Sequence, residues 1–311
     1  MNNMRVAEHA GRIEAALLGS DAARSPLVAS WTRSARLHGL DPAGRADAGR
    51  LADAEFRAAR DRMGPLIAAA APSLDRLFQA VGSVGCCVLL ADPDGVPLDR
   101  RGAGAEDDAF REWGLWTGTV WSEARQGTNG IGTAIAERRT VTIRRDQHYL
   151  ARNTALSCMT APIFNHDGSL AGALDVSSCR DDLTEGFAGL IAHSVADTAR
   201  RIEVEALRLA FPQARMVLVP GADRSAVLAV DADDLVVGAT RSARQALGPL
   251  DDLPRPAADL LGGTPDTLET AERAALARAL ARASGNVTVA ARSLGISRAT
   301  LHRKIAATRR G

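Results

Sequence analysis

The sequence predicts an α+β chain of several domains: an antiparallel sheet with helices, a small α/β unit after it, and an all-α carboxyl-terminal end. Three observations predict this. Residues 1–75 and 187–209 are helical in composition and spacing. Between and after them, short apolar runs are split by Asp/Gly turns, a hairpin pattern. The last forty or so residues lack strand patterning and are basic. From Ala271 to Gly311 nine cations face Glu272 alone, although the whole chain is only +1. A basic end on a net acidic body points to a polyanion-binding module joined to something else, the alternative being a solvated helical face. A length of 311 residues allows two or three domains, and 46% hydrophobic with 24% charged residues is ordinary for a globular protein.

Within the amino-terminal region, residues 25–42 (SPLVASWTRSARLHGLDP) read as one helix. Leu27, Trp31 and Ser34 fall at i, i+4, i+7, Gly39 suits a left-handed stop, and Pro42 prevents resumption. From about residue 76 strands take over. Residues 86–102 form two apolar runs about D-P-D-G, and residues 157–178 a second hairpin about N-H-D-G-S. G-T-N-G-I-G-T-A, from Gly127, reads as a loop entering a helix, followed by the strand V-T-I-R-R at 141–145. Phe187 to about Leu209 is a long amphipathic helix with apolar Phe187, Leu190, Ile191, Val195, Ile202 and Leu209. A hairpin (225–240) and helix (241–247) form the small unit, and the Pro/Gly/Asp-rich stretch 248–266 reads as a linker. The expected domains are an N-terminal helical region at 1–75, a sensor at 76–200, a connecting segment at 201–250, a linker at 251–266 and a helical module at 267–311.

Several functions are excluded or disfavoured. No run of about 18 apolar residues exists, so no transmembrane helix is expected, and the start lacks a signal-peptide layout. Cys86, Cys87, Cys158 and Cys179 make no C-x-x-C and read as reduced thiols of a cytoplasmic protein. His9, His38, His148, His166, His193 and His302 show no metal spacing, and no catalytic constellation or cofactor motif is evident. G-T-N-G-I-G lacks the βαβ context of a dinucleotide fingerprint.

The tail, residues 268–308, reads as a helix-turn-helix. A first helix stops at Ser284-Gly285, Asn286 caps a second, Gly295 supplies the turn, and Ser297 caps a third over Arg298–Thr308. Ala290, Leu294, Ile296, Leu301 and Ile305 fall where crossed helices touch, with small Ala291 allowing close approach. Arg298 then sits in the first turn of a groove-reading helix, within reach of guanine edges, and Arg303 and Lys304 are suited to phosphate. The alternative is an oligomerisation hairpin. The run G-N-x-T-x-A-A-x-x-L-G-I-S-R-x-T-L-x-R-K-I resembles the Fis-type helix-turn-helix. That resemblance implies phosphate contacts at Asn286 and Thr288, a recognition helix or cap comprising Ser297, Arg298, Thr300, Arg303 and Lys304, and a less regular contact at His302, where a basic residue is common. It also implies a homodimer on double-stranded DNA with two half-sites about one helical turn apart.

The middle of the chain resembles the GAF domain of AcoR-like (acetoin-catabolism-type) regulators, through G-T-N-x-I-G-T-A, A-P-I and L-D-V-S. The flanking S-W-T-R-S … G-L-D-P and a PAS-like connecting segment at 226–248 match the same family. Gly130, Gly132, Ala134 and Ala136 would let a helix backbone approach a sheet. Thr128 and Asn129 can cap that helix and aim donors at an effector, and Trp116, Trp121, Cys158 and Met159 could wall a pocket; ordinary core packing is the alternative for each. A haem or iron ligand role for Cys158 is a weak further reading. Most AcoR-like regulators also carry a sigma-54 ATPase with G-x-x-x-x-G-K-[ST]. Here Lys304 is the only lysine and lies in the recognition helix, so that motif cannot be present. The resemblance implies a non-enzymatic regulator responding to a small alcohol, ketone, aldehyde or aromatic effector. It would act on RNA polymerase, by occlusion, or with a full-length sigma-54 activator. The alternatives are a modulator that oligomerises with such an activator without binding DNA, and a thiol-dependent GAF reductase.

Overall fold

A computed structural model describes residues 2–19, 23–44, 49–262 and 267–308. The chain divides into two compact units, Met1–Arg255 and Pro256–Gly311.

The first unit is built on a five-stranded antiparallel sheet of order β2-β1-β5-β4-β3. The strands are β1 (Cys86–Ala91), β2 (Pro97–Arg101), β3 (Val141–Arg144), β4 (Ser157–Phe164) and β5 (Leu170–Ser178). Both expected hairpins form, β1–β2 and β4–β5. The pairing of β1 with β5 joins them into one sheet, and sequence proximity cannot specify that contact. β4 is buried along its whole length, because both faces of the sheet are covered. On one face lie α4 (Gly64–Val81) and α8 (Glu185–Ala210), packed on Val88, Leu90, Met159, Ala161, Ile163, Leu174 and Val176. On the other, Cys87, Leu89, Ala91, Cys158 and Ala173 meet Phe110, Leu115, Trp121 and Ile131. Alternate residues of each strand thus feed two separate apolar clusters.

α4 runs past residue 75 and buries Leu74, Leu77 and Val81 in the sheet cluster, so the end of the amino-terminal helices belongs to the sheet's core. In α8, Ile191, Val195 and Ile202 are buried, but Leu190 and Leu209, expected on the apolar stripe, are 66% and 51% exposed. The buried stripe is instead completed by Ala188 and Ala199, whose small side chains let the helix lie close to the sheet. The carboxyl-terminal end of α8 packs on a second, four-stranded sheet of order β6-β7-β8-β9 through Leu207, Val227 and Ala229. Its strands are β6 (Arg215–Leu218), β7 (Val227–Val230), β8 (Leu235–Ala239) and β9 (Arg255–Pro256), with α9 at Arg241–Leu247. β6 was not expected, although the apolar run Met216–Val219, closed by Pro220-Gly221, carries a strand signal. At Gly238 a Cβ would lie 2.5 Å from the Phe211 ring, so any larger residue would have to displace that ring.

The second unit holds α10 (Ala257–Leu261), α11 (Leu268–Arg282), α12 (Val287–Ser293) and α13 (Arg298–Thr308). The stretch read as a linker is therefore partly structured: it contains β9 and α10, and Leu250 is buried. Residues 263–266 of that stretch lie outside the described residues. The tri-helical core is small: Leu276, Ala279, Ala290, Ala291 and Leu301, sealed by Leu294, Ile296 and Ile305 among others.

Candidate sensor interior and nucleic-acid interface

The short helix α7 (Gly130–Glu137) is what positions the sensor interior. Asn129 caps it, its Oδ1 accepting the Gly132 amide at 2.9 Å while its Nδ2 donates to Gly127 O at 2.8 Å. The helix can then lie directly on the sheet. A Cβ on Gly130 would stand 2.4 Å from Thr160 Oγ1 and 2.6 Å from Cys158 Cβ, and one on Gly132 would stand 2.5 Å from the Glu123 amide nitrogen. Both glycines and Ala134 make this approach, as their small size suggests, whereas Ala136 faces outward and is exposed.

Beneath α7 runs a fully enclosed polar chain. The Asp175 carboxylate accepts from the Thr160 hydroxyl and, at 2.6 Å, from the Ser177 hydroxyl. Ser177 Oγ lies 3.1 Å from Cys158 Sγ, which lies 3.4 Å from His148 Nε2; His148 Nδ1 is 3.0 Å from Arg145 O. Burial outweighs the two hydrogen bonds and pushes Asp175 up to about 6. Burial also takes His148 down to about 4, so its ring is neutral near pH 7. The Cys158 and Cys87 thiols are pushed up, again by burial, and Cys86 to about 11. A thiol held protonated is a poor nucleophile and a poor metal ligand, which counts against both a reductase and an iron-ligand role for Cys158.

A second buried network ties the amino-terminal helices to this face. Glu123 is 5% exposed and accepts from Ser30 Oγ (2.6 Å), Thr133 Oγ1 (2.9 Å) and, in a fork, Arg33 Nε and Nη2 (both 2.9 Å). Arg33 also donates to Glu137 at 2.8 Å, and hydrogen bonding to Glu123 holds its pKa above the usual arginine value. The Trp31 indole donates to Gln147 O at 2.8 Å and the Tyr149 hydroxyl to Leu40 O at 2.7 Å. S-W-T-R-S and G-L-D-P are thus a clasp on the sensor. S-W-T-R-S lies on α2 (Pro26–Thr32) and on the turn of π-helix, Arg33–Leu37, that extends it; G-L-D-P follows that turn.

The six residues read as effector contacts are therefore not brought to one place. Trp121 and Cys158 share the apolar cluster under α7. Met159, one residue on, points to the opposite face and packs with α4 and α8, because successive strand residues alternate. Thr128 is fully buried with its hydroxyl 2.7 Å from Ser30 Oγ, and Asn129 is spent on its cap. Trp116 is half-buried and carries the guanidiniums of Arg100 and Arg111 at 4.1 and 4.2 Å from its ring centre. Asp175, Ser177, Thr160, His148, Glu123, Ser30 and Arg33 were missed. The spacing of two in S-C-M-T and L-D-V-S was the available signal, since it puts Cys158 with Thr160 and Asp175 with Ser177 on one face.

In the tri-helical unit the polar chemistry is outside. Asn286 Oδ1 accepts from the Thr288 and Val289 amides at 3.0 and 3.2 Å, and Ser297 Oγ accepts from the Thr300 amide at 3.1 Å. Gly295 takes φ +66° at the turn. Along α13, Leu301 is fully buried while Arg298, Ala299, His302 and Arg303 are exposed, and Thr300 is half-exposed. Arg298 and His302 are four residues apart and share a face. Lys304 is turned towards α11, where its ammonium pairs with Glu272. With Lys304, the arginines at 273, 278, 282, 292, 298, 303, 309 and 310 outnumber the acids of this unit, Asp259, Asp266, Glu269 and Glu272, and leave it positive.

A GAF-like sheet unit and a capped helix-turn-helix with an exposed cationic helix are the two modules of the chain. Residues 5–200 match the model described as MimR, N-terminal domain, and the chain belongs to that family. Residues 267–307 match the Bacterial regulatory protein, Fis family model. Among characterised relatives, the acetoin catabolism regulatory protein of Cupriavidus necator is 33% identical over 174 residues, covering 56% of this chain and 26% of that one. The propane 2-monooxygenase operon transcriptional activator MimR of Mycolicibacterium smegmatis is 35% identical over 147 residues, 47% of this chain and 24% of that one. The chain spans about a quarter of the length of these relatives. A solved neighbour, the E. coli DhaR(N)–DhaL complex, shares the fold at TM-score 0.52 and 18% identity, over 82% of this chain and 87% of that one. No helix among the described residues is long and apolar enough to cross a membrane.

Proposed function

We propose that the protein binds specific DNA sites as a homodimer and that a small effector in the GAF-like unit changes that binding. The exposed edge of α13 carries this reading: Arg298 and His302 on one face with Arg303 beside them, over a capped and buried Leu301. In this reading Arg298, in the first turn, reads base edges, and Arg303 and the Asn286–Thr288 turn meet phosphate. Lys304 acts through Glu272 by holding α13 against α11, with any phosphate contact secondary. The relatives named above are transcriptional regulators, which supports the same class here. We further propose that this chain works without hydrolysing ATP, by recruitment, occlusion or partnership with a longer activator, since its single lysine leaves no phosphate-binding loop.

Genome-wide footprinting followed by gel shifts at fixed salt tests the proposal. Discrete sites should appear, and Arg298→Ala should weaken specific binding by about 1–3 kcal/mol, roughly fivefold to 150-fold, while leaving non-specific binding nearly unchanged. Absence of discrete sites, with an intact fold, overturns it in favour of the modulator reading.

A further inference from the structure

Four strands place one row of side chains across the α7 face of the sensor sheet. Thr160 of β4 pairs with Asp175 of β5, Asp175 with Leu89 of β1, and Leu89 with Arg100 of β2. Leu89 belongs to the cluster under α7, so Arg100 enters the same interior as Asp175. Its side chain is only 10% exposed. Nη1 stands 2.8 Å from Asp107 Oδ1, but Nε and Nη2 are shut off from solvent and have no hydrogen-bond partner among the described residues. These two nitrogens form the side edge of the guanidinium, two parallel donors matched to the two oxygens of a carboxylate. The same edge is used that way elsewhere in this unit: Arg33 grips Glu123 with it at 2.9 and 2.9 Å, and Arg180 grips Asp182 at 2.8 and 2.5 Å. On Arg100 that edge meets no acceptor among the described residues.

The surroundings suit an occupant that arrives from outside. The guanidinium lies 4.1 Å from the Trp116 ring centre and 5.5 Å from that of Phe110. It is covered by backbone at Gly102, where a Cβ would fall 2.2 Å from Nη2. The cover, residues 102–107, is G-A-G-A-E-D, almost without side chains to anchor it until Glu106 and Asp107. Glu106 Oε2 is itself buried without a hydrogen-bond partner. Buried donors and acceptors left unpaired are costly, and here they concentrate under one glycine- and alanine-rich segment. Arg111, on the same tryptophan ring, adds a second cation nearby.

We propose that the effector of this sensor is a small carboxylate, held in a fork by Arg100 Nε and Nη2 once the 102–107 segment lifts. This deepens the sensor reading given above and rests on it. The test is thermal shift and titration calorimetry on the full chain with acetate, propionate, lactate and benzoate, each beside its neutral amide. At least one acid should raise the melting temperature and its amide should not. Arg100→Lys keeps the charge but loses the fork, and should bind that acid at least tenfold more weakly. Gly102→Ala, which leaves Arg100 in place and displaces its edge, should do the same and serves if the arginine variants do not fold. Failure of every acid, or equal binding by wild type and Arg100→Met, overturns the inference. If neutral alcohols or ketones bind while the acids do not, the carboxylate falls and the sensor stands; if neither series binds or alters DNA occupancy, both fall.

Discussion

The sheet-based unit and the tri-helical unit place their polar chemistry on opposite sides of their surfaces. In the first, Asp175, Ser177, Cys158 and His148 are enclosed and satisfy one another, and Glu123 is enclosed by Ser30, Thr133 and Arg33. In the second, a core of five buried residues, all alanine or leucine, holds up an outer surface of arginines. Residue type therefore predicts role well only where a side chain meets solvent or a partner. Inside a close-packed sheet, the same residue types are consumed by their neighbours.

The contrast between the units is most vulnerable at the smaller core. Leu301→Ala removes a fully buried side chain where little else remains to collapse around it, and should cost about 3 kcal/mol. DNA binding should disappear while the melting transition of the sheet unit stays where it is; a single shifted transition in calorimetry would show that the two units do not unfold independently. In the larger core, Gly130→Ala drives a methyl into Thr160 and Cys158 and should cost about 2 kcal/mol in the sheet transition alone. If it is neutral, α7 does not need its close approach.

A pH titration of stability separates the two units further. Asp175 is raised to about 6 and Glu203 of α8 to about 7, both mainly by burial. A carboxyl whose folded pKa exceeds its unfolded value stabilises the fold at low pH, and that stability is lost as pH rises through the folded pKa. The sheet unit should therefore lose stability between about pH 4 and 7. His148, lowered to about 4, acts oppositely: its contribution is present above its unfolded pKa near 6.5 and fades as pH falls towards 4. Asp175→Asn should remove part of the loss on the alkaline side, measured by urea unfolding from pH 4 to 8. An unchanged profile would mean that Asp175 does not titrate in that range. The tri-helical unit has no such buried group among its described residues and should be nearly flat over the same interval. The smallest effect is expected at Lys304→Met. A half-exposed pair with Glu272 contributes about 0–1 kcal/mol, so stability should barely change, and the salt slope of DNA binding should fall by less than for Arg303→Ala. Equal slopes for the two variants would give Lys304 a direct phosphate contact.

Much of this was legible in the amino-acid sequence. The two hairpins, the long helix, the caps at Asn286 and Ser297 and the turn at Gly295 depend on neighbours a few residues apart, and their signals are local. The interior beneath α7 was not legible in the same way. Thr128 and Asn129 look like free donors in sequence, yet Thr128 is taken up by Ser30, ninety-eight residues away, and Asn129 donates to Gly127 O while accepting from the Gly132 amide. Arg100 carried no signal, because nothing in P-L-D-R-R says which guanidinium edge is left without a partner.

Residue identity, periodicity and short-range capping were enough for the secondary elements, the helix-turn-helix with its cationic edge, and the place of the single lysine in its last helix. The three-dimensional arrangement was needed for the rest: β1 joins β5, Met159 turns away from Cys158, the amino-terminal helix clasps Glu123, and Lys304 faces Glu272. These depend on contacts between segments far apart in the chain. Packing and desolvation, summed over a whole core, choose among partners that the local sequence leaves equivalent.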